Sequence, residues 1–359
     1  TAGAQIYDCD KWNVLYTALL DTEASNEWKG SVGNILTGTS GGNLGAESID
    51  AAGTRVFCVP MVLNPLANTT PHRLIPAFSL SGLSWRIQLD SAANATVGAA
   101  LDSEILFSDV EMVCLMTELS PSAQAQVDQM TGGVYNILAN SYMNSSANMG
   151  AVSQVTANLG FSVSSLERIL LVQRKDASFV GDRYTIGNRA NNGLTQYQYL
   201  INSESYPQRP IDVEDKGAEA AAELLISNHS LTDFKAGNSL QNNAVASTLA
   251  NVLANGYSAD GKYPHAYSTD GIGTECGKVV GGVSTAGNIG SALYGCEFET
   301  GLSDGRSSHI YSGVSTLASN VQFKGTYSGA DAATLDFFAM YSVLLSLDMR
   351  SSGVFSVSV

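Results

Sequence analysis

"LDFFAMYSVLLSLD" (335–348), followed by "RSSG" (350–353) and "VFSVSV" (354–359), is the stretch that decides the fold. Leu335, Phe337, Ala339, Tyr341, Val343, Leu345 and Leu347 recur at every second position and form one unbroken apolar face. A period of two belongs to a strand with one side turned to a core. The Ser-Ser-Gly turn sends the chain back, and Phe355, Val357 and Val359 alternate with Ser356 and Ser358, so the end of the chain reads as a hairpin.

The same period recurs upstream. In "NVQFKGTY" (320–327), Val321, Phe323 and Tyr327 oppose Asn320, Gln322, Lys324 and Thr326. In "GLSWRIQLD" (82–90), Leu83, Trp85, Ile87 and Leu89 oppose Ser84, Arg86, Gln88 and Asp90, the pattern of a half-buried strand. "TQYQYLINSESYPQRPIDV" (195–213) begins with Tyr197, Tyr199 and Ile201 on one face and Gln196 and Gln198 on the other. Pro207 and Pro210 follow and can continue neither a helix nor a central strand. They are expected to end the strand and send the chain into an extended crossing. More uniformly apolar runs, "ILFSDVEMVCLMTEL" (105–119), "GFSVSSLERILLVQR" (160–174) and "SALYGCEFET" (291–300), add further strands.

Helical signals are few. "DKWNVLYTALLD" (10–21) spaces Trp12, Leu15, Tyr16, Leu19 and Leu20 as a short amphipathic helix. "SPSAQAQVDQMTGG" (120–133) has Ser at the N-cap, Pro at the first helical position and a glycine pair at its end. "GAEAAAELLISN" (217–228) is rich in helix formers. βαβ alternation is too sparse for a parallel sheet, so the class is all-β, of sandwich or barrel type. A domain boundary is expected after the second helix, dividing 1–133 from 134–359.

Composition narrows the function. Of 359 residues, 44% are hydrophobic, enough for a substantial core, yet only 14% are charged, against about a quarter in ordinary domains. The net charge of −15 repels phosphate backbones, so broad nucleic-acid binding is not expected. The densest basic stretch, Arg168, Arg174, Lys175, Arg183 and Arg189, is interrupted by Glu167, Asp176 and Asp182 and reads as a solvated loop face. No apolar run reaches the length of a membrane span, and no signal peptide is visible at Thr1. The five cysteines (Cys9, Cys58, Cys114, Cys276, Cys296) form no C-x-x-C. Cys58 and Cys114 lie in apolar runs and read as buried free thiols, which points to a reducing compartment. N-x-S/T sequons begin at Asn68, Asn94, Asn144 and Asn228, as chance allows in so Ser/Thr/Asn-rich a chain.

Catalytic signatures are missing. There is no G-x-S-x-G, H-E-x-x-H, P-loop or G-x-G-x-x-G, and "GIGTECG" (271–277) lacks a strand–helix context. His72, His229, His265 and His309 have no second ligand at metal spacing. "DVEDKGAE" (212–219) reads as solvated charge ahead of a helix. The tyrosines between 135 and 267, Tyr197 and Tyr199 among them, could bind sugars or bases but fit strand packing and subunit contact better. No catalytic, cofactor-binding or metal-ligating residue is singled out, and no enzymatic activity is expected.

Taken in order, several segments resemble one family. "DKWNVLYTALLD", "RLIPAFSLSGLSWRIQLD" (73–90) and "FSDVEMVCLMTEL" (107–119) resemble the later strands of a first jelly roll. "LTQYQYLINSESYPQRPIDV" (194–213) resembles the early part of a second, and "IYSGVSTLASNVQFKGTY" (310–327) with "LDFFAMYSVLLSLDMRSSGVFSVSV" (335–359) resembles its closing strands. The chain is thus similar to the double jelly-roll major capsid proteins of tailless icosahedral DNA viruses, the lineage of Polinton-like viruses, virophages, nucleocytoplasmic large DNA viruses and adenovirus hexon. The resemblance implies two consecutive eight-stranded jelly rolls with short helices in their connections. It also implies homotrimers of pseudo-hexagonal outline that contact neighbouring capsomers and minor capsid proteins in an icosahedral shell. Such a protein is assembled in the host cell interior and located in the virion. The family's strands ahead of residues 10–21 have no counterpart here. A fragment, a processed form or an unusual first barrel would each account for that, and the first jelly roll is expected to be incomplete at its N-terminus. The rival readings are a minor or vertex capsid protein of the same lineage, a carbohydrate-binding jelly-roll module (lectin or viral spike), and a hydrolase without recognised motifs.

Overall fold

The computed structural model describes residues 6–23, short pieces between 61 and 119, and 120–175 and 192–213. Beyond these it describes the helical residues 219, 220 and 223, and 279–280, 283–284, 293–298, 313–328, 330, 332–348 and 354–358. Two helices carry bounds: α1 (Trp12–Glu23) and α2 (Pro121–Thr131). The strands are β1 (Thr69–Thr70), β2 (Val134–Met149), β3 (Gln154–Leu159), β4 (Leu166–Lys175), β5 (Leu194–Ile201) and β6 (Glu204–Asp212). They continue as β7 (Val279–Val280), β8 (Val283–Ser284), β9 (Leu293–Glu297), β10 (Val321–Tyr327), β11 (Ala333–Asp348) and β12 (Val354–Ser358). The described chain is therefore mostly antiparallel sheet with few helices.

Two sheets make the body. One runs β1-β2-β11-β4-β9, with β12 also on β11; the other runs β3-β10-β5-β6. Among β2–β6 and β9–β11 every connection crosses from one sheet to the other except the β5–β6 hairpin. That is the alternation of a jelly roll, in which sequence neighbours end up facing rather than adjoining. Ring contacts show the stacking. Phe323 meets Phe337 at 5.0 Å, Tyr197 meets Tyr294 at 5.6 Å, and Tyr206 meets Phe298 at 5.6 Å. So β10 lies over β11, β5 and β6 lie over β9, and β3 falls beneath β2.

The alternating strands pack as their period dictates. The whole apolar face of β11, from Leu335 to Leu347, is buried, and so are Val321, Phe323 and Tyr327 of β10. Gly325 also points inward on β10. A Cβ there would lie 2.8 Å from the Tyr327 ring and 2.9 Å from that of Phe323, so the missing side chain is what lets both aromatics lean into the core. One edge of β11 pairs with β2 along its full length; the other pairs with β4 and then, from Leu344 to Asp348, with β12. The expected return hairpin is therefore present as backbone pairing. α2 begins and ends on its expected signals: the Ser120 hydroxyl accepts from the Ala123 amide at 3.3 Å, and Gly132 closes it at φ 61°.

Three expectations need correction. Residues 84–89 form no strand, and Trp85, Ile87 and Leu89 are exposed. Residues 108–114 and 116–119 likewise form none, leaving Val110, Met112, Val113 and Met116 in solvent and Cys114 exposed rather than buried. Alternation makes a strand only when a neighbour takes up the backbone N–H and C=O groups, and among the described residues these segments have none. The prolines do not end the sheet either. The chain turns at Asn202, whose φ of 56° an Asn tolerates, and returns as β6 with both prolines inside it. The register jumps from Tyr197↔Ile211 to Tyr199↔Tyr206, and the Gln198 side chain fills the gap by donating to the Pro207 carbonyl at 2.8 Å. Pro207 and Pro210 thus occupy a bulge on an edge strand, where no ladder hydrogen bond is lost.

Candidate assembly surfaces

The outer face of the β2-β11-β4-β9 sheet would meet water in a simple one-sided sheet. Here it is covered. Tyr142 of β2, Phe338 and Met340 of β11, Leu170 and Val172 of β4 and Leu293 of β9 form an apolar band. Onto it pack Val14, Leu15 and Tyr16 of α1, together with Leu63. β11 is therefore buried on both faces over its first half.

Charge locates the helix on this band. Asp336 is completely buried. Its Oδ1 accepts from Lys11 Nζ at 2.8 Å and from the Ser146 hydroxyl at 2.7 Å, while Oδ2 accepts from Arg174 Nε at 2.5 Å and from the same guanidinium's second nitrogen. Lys11 stands at the start of α1, where its carbonyl accepts from the Val14 amide at 2.9 Å. One carboxylate thus binds the first turn of α1 to a strand 325 residues further along. At the other end of the band the buried Arg168 donates to the Tyr142 hydroxyl at 2.9 Å. Glu167 is buried beside the Ser342 hydroxyl, which donates to its Oε1, and its Oε2 has no partner. Burial pushes the Glu167 carboxyl above its ordinary pKa, against the opposing pull of Ser342 and Arg168.

These positions revise the basic stretch. Arg168 and Arg174 are not part of a solvated loop face: both sit in β4 and are almost fully buried, as is Glu167. Lys175 ends β4, and Arg183, Arg189, Asp176 and Asp182 lie outside the described residues. The signal that could have shown this was in "LERILLVQR" itself, where charges interleave with a continuous apolar run, as in a strand covered on both sides.

The other singled-out residues scatter. The Tyr197 and Tyr199 rings are inside the barrel, and the Tyr197 hydroxyl donates to the Gly295 carbonyl at 2.7 Å, so this ladder is strand packing and presents no platform to a glycan. Asn144 lies mid-strand in β2 and donates to the Phe337 carbonyl at 3.2 Å. Glu219 accepts from exposed Arg209 at 2.6 Å and from the Asp212 amide at 3.1 Å. Arg209 holds the Glu219 carboxyl below its usual pKa. Cys296 is buried in the core, and burial pushes its thiol well up. Cys58, Cys276, the four histidines and "GIGTECG" lie outside the described residues. Among the described residues no group of three His, Cys, Asp or Glu side chains could hold a metal ion, and no helix is long and apolar enough to cross a membrane.

With this geometry in hand, comparison with known proteins adds the following. No family model matches, and neither does any curated protein sequence. Among solved structures the chain is similar to a chain of the PBCV-1 virus capsid, with 10% identity and a TM-score of 0.35, covering 66% of this chain and 54% of that one. It is also similar to the mavirus major capsid protein, with 10% identity and a TM-score of 0.26, covering 62% and 41%. A chain of the Sputnik virophage gives 13% identity and a TM-score of 0.27, covering 63% and 39%. The chain spans about half the length of the PBCV-1 chain and less of the mavirus and Sputnik chains. The PBCV-1 and mavirus neighbours are capsid proteins, not enzymes. At these TM-scores the superpositions carry no argument of their own.

Proposed function

We propose that this chain is a major capsid protein of the double jelly-roll kind: residues 134–359 form the second barrel, and residues 1–133 supply the later strands of the first with its linker helix. One observation carries the reading. The sheet orders β2-β11-β4-β9 and β3-β10-β5-β6 are the jelly-roll arrangement that the resemblance in the sequence implies for this half of the chain. Supporting it, α1 from the first block lies against the outer sheet of the second, as expected of two blocks built into one rigid subunit. The work of such a protein is assembly: the barrel carries shape, and the connections carry contacts in a homotrimer and with neighbouring capsomers and minor capsid proteins of a virion shell.

The test is mass photometry of the purified protein at micromolar and nanomolar concentration, with negative-stain images of the same sample. Trimers of pseudo-hexagonal outline are expected, held by interfaces of over ~2,000 Å² in total. A stable monomer at micromolar concentration overturns the reading.

A further inference from the structure

Besides β12 on β11, four strands flank the two sheets among the described residues, β2, β9, β6 and β3, and three of them carry a device along part of their outer edge. β2 is paired at Leu138 and Ala139 by β1. The outward Glu297 amide of β9 donates to the Glu223 carboxylate at 3.2 Å. β6 contains Pro207 and Pro210, which have no N–H to offer, and exposes the Arg209–Glu219 ion pair beside them. The fourth edge, β3, carries no such device among the described residues. The Tyr327 amide bonds to the Ser153 carbonyl at 2.8 Å. Ladder bonding therefore alternates so that Ser153, Val155, Ala157 and Leu159 bond to β10, while the N–H and C=O groups of Gln154, Thr156 and Asn158 point outward. All three of those side chains are exposed.

The charge pattern isolates the same edge. From Gln129 to Leu166 there is no Asp, Glu, Lys or Arg, in a chain of net charge −15. Both β2 and β3 lie in this stretch, so among the described residues neither strand carries a charge, the nearest to Thr156 being the exposed Lys324 opposite it on β10, while the opposite side, β9 and β6, carries Glu223, Arg209 and Glu219. Two copies of an acidic chain approach with least repulsion along these uncharged strands. β3 is also complementary to itself. A two-fold axis at Thr156 sets Thr156 opposite Thr156, Gln154 opposite Asn158 and Val155 opposite Ala157, matching polar with polar and apolar with apolar on each face.

We propose that β3 is a strand-addition site at which two copies of this chain pair antiparallel, edge to edge, continuing the β3-β10-β5-β6 sheet across a molecular two-fold. An isologous contact of this kind cannot close a three-fold ring, so it joins capsomers to each other rather than building the trimer. It rests on the proposed capsid role only for that placement.

The experiment compares wild type with Thr156→Pro and Thr156→Glu by circular dichroism, thermal melting and mass photometry across concentration. Proline at 156 removes an N–H that the β10 ladder does not use, so the barrel is expected to keep its spectrum and melting. Glutamate keeps the N–H and gains Lys324 of its own chain as a cross-strand partner, which supports the fold, but it sets two like charges opposite each other across the two-fold. The expected result is that both variants keep the basic oligomer, while association beyond it falls at least tenfold. Folded variants that associate like wild type overturn the proposal, as does a wild type with no association beyond its basic oligomer. If proline disturbs the fold, the glutamate variant decides alone. A wild type that is not trimeric but dimerises through Thr156 would overturn the capsid reading and leave the strand-addition site standing.

Discussion

β10 and residues 84–89 are written in the same period and end in opposite places. Val321, Phe323 and Tyr327 alternate with polar residues and are between 0% and 3% exposed; Trp85, Ile87 and Leu89 alternate just as strictly and are 37–63% exposed. The difference is in partners. β10 has a strand on each edge, β3 and β5, and an aromatic layer above it. Residues 84–89 have no paired edge among the described residues. Amphipathic alternation states which side of a strand would be buried, but a sheet forms only where neighbouring backbone groups satisfy it.

The comparison can be broken most sharply by cutting large side chains at matched positions. Phe323→Ala empties a site packed against Tyr199 and Phe337 and should cost about 3–5 kcal/mol. Trp85→Ala should stay within about 0.5 kcal/mol, as an exposed substitution does. Urea unfolding of both variants reads the contrast; a Trp85 variant as damaged as the Phe323 variant would mean that the early segment is packed after all.

A slightly smaller loss is expected at the buried charge. Asp336→Asn leaves the Arg174 guanidinium buried without its carboxylate and frees Lys11 from the strand. The cost should be about 3 kcal/mol. Because Lys11 begins α1, protease cleavage in 6–23 should also accelerate; unchanged cleavage would show that the helix is held by its apolar contacts alone.

Gly325→Ala asks how tightly the β10 core is closed. Its methyl meets the Phe323 and Tyr327 rings, and a loss of about 1–3 kcal/mol in the thermal or urea transition is expected. A neutral result would mean that the two rings move aside freely.

The smallest effect is a gain. The folded-state pKa of Glu167 is raised by burial, so the group favours the folded state while it is protonated. That contribution is present below the ordinary carboxylate value and is lost as the pH rises through the raised one. Glu167→Gln removes the charge and should raise the melting temperature at pH 7 while leaving it nearly unchanged at pH 4. An equal shift at both pH values would refute the assignment.

Legibility followed the same division. The inward faces of β5, β10 and β11, the hairpin pairing of β12 and both ends of α2 could be read locally, because period, Ser120, Pro121 and Gly132 act within a few residues of themselves. The outer face of β11 could not. Asp336, Phe338 and Met340 look like the mixed, solvent-side partners of an apolar face until α1 is known to lie over them. Nor could the path through Pro207 and Pro210 be read, since a bulge on an edge strand and a chain leaving the sheet have the same prolines in common.

What the sequence by itself determined is the class of the fold, all-β with strands of known inward face, and an acidic net charge with its longest uncharged run at 129–166. Only the tertiary structure decided which alternating segments became strands, that Arg168, Arg174 and Glu167 are interior rather than solvated, and which sheet edges remain open. The reason is range. Side-chain period and capping are set by neighbours in the chain, whereas edge pairing and the burial of a charge depend on groups such as Lys11 and Asp336 that meet only after the chain has folded.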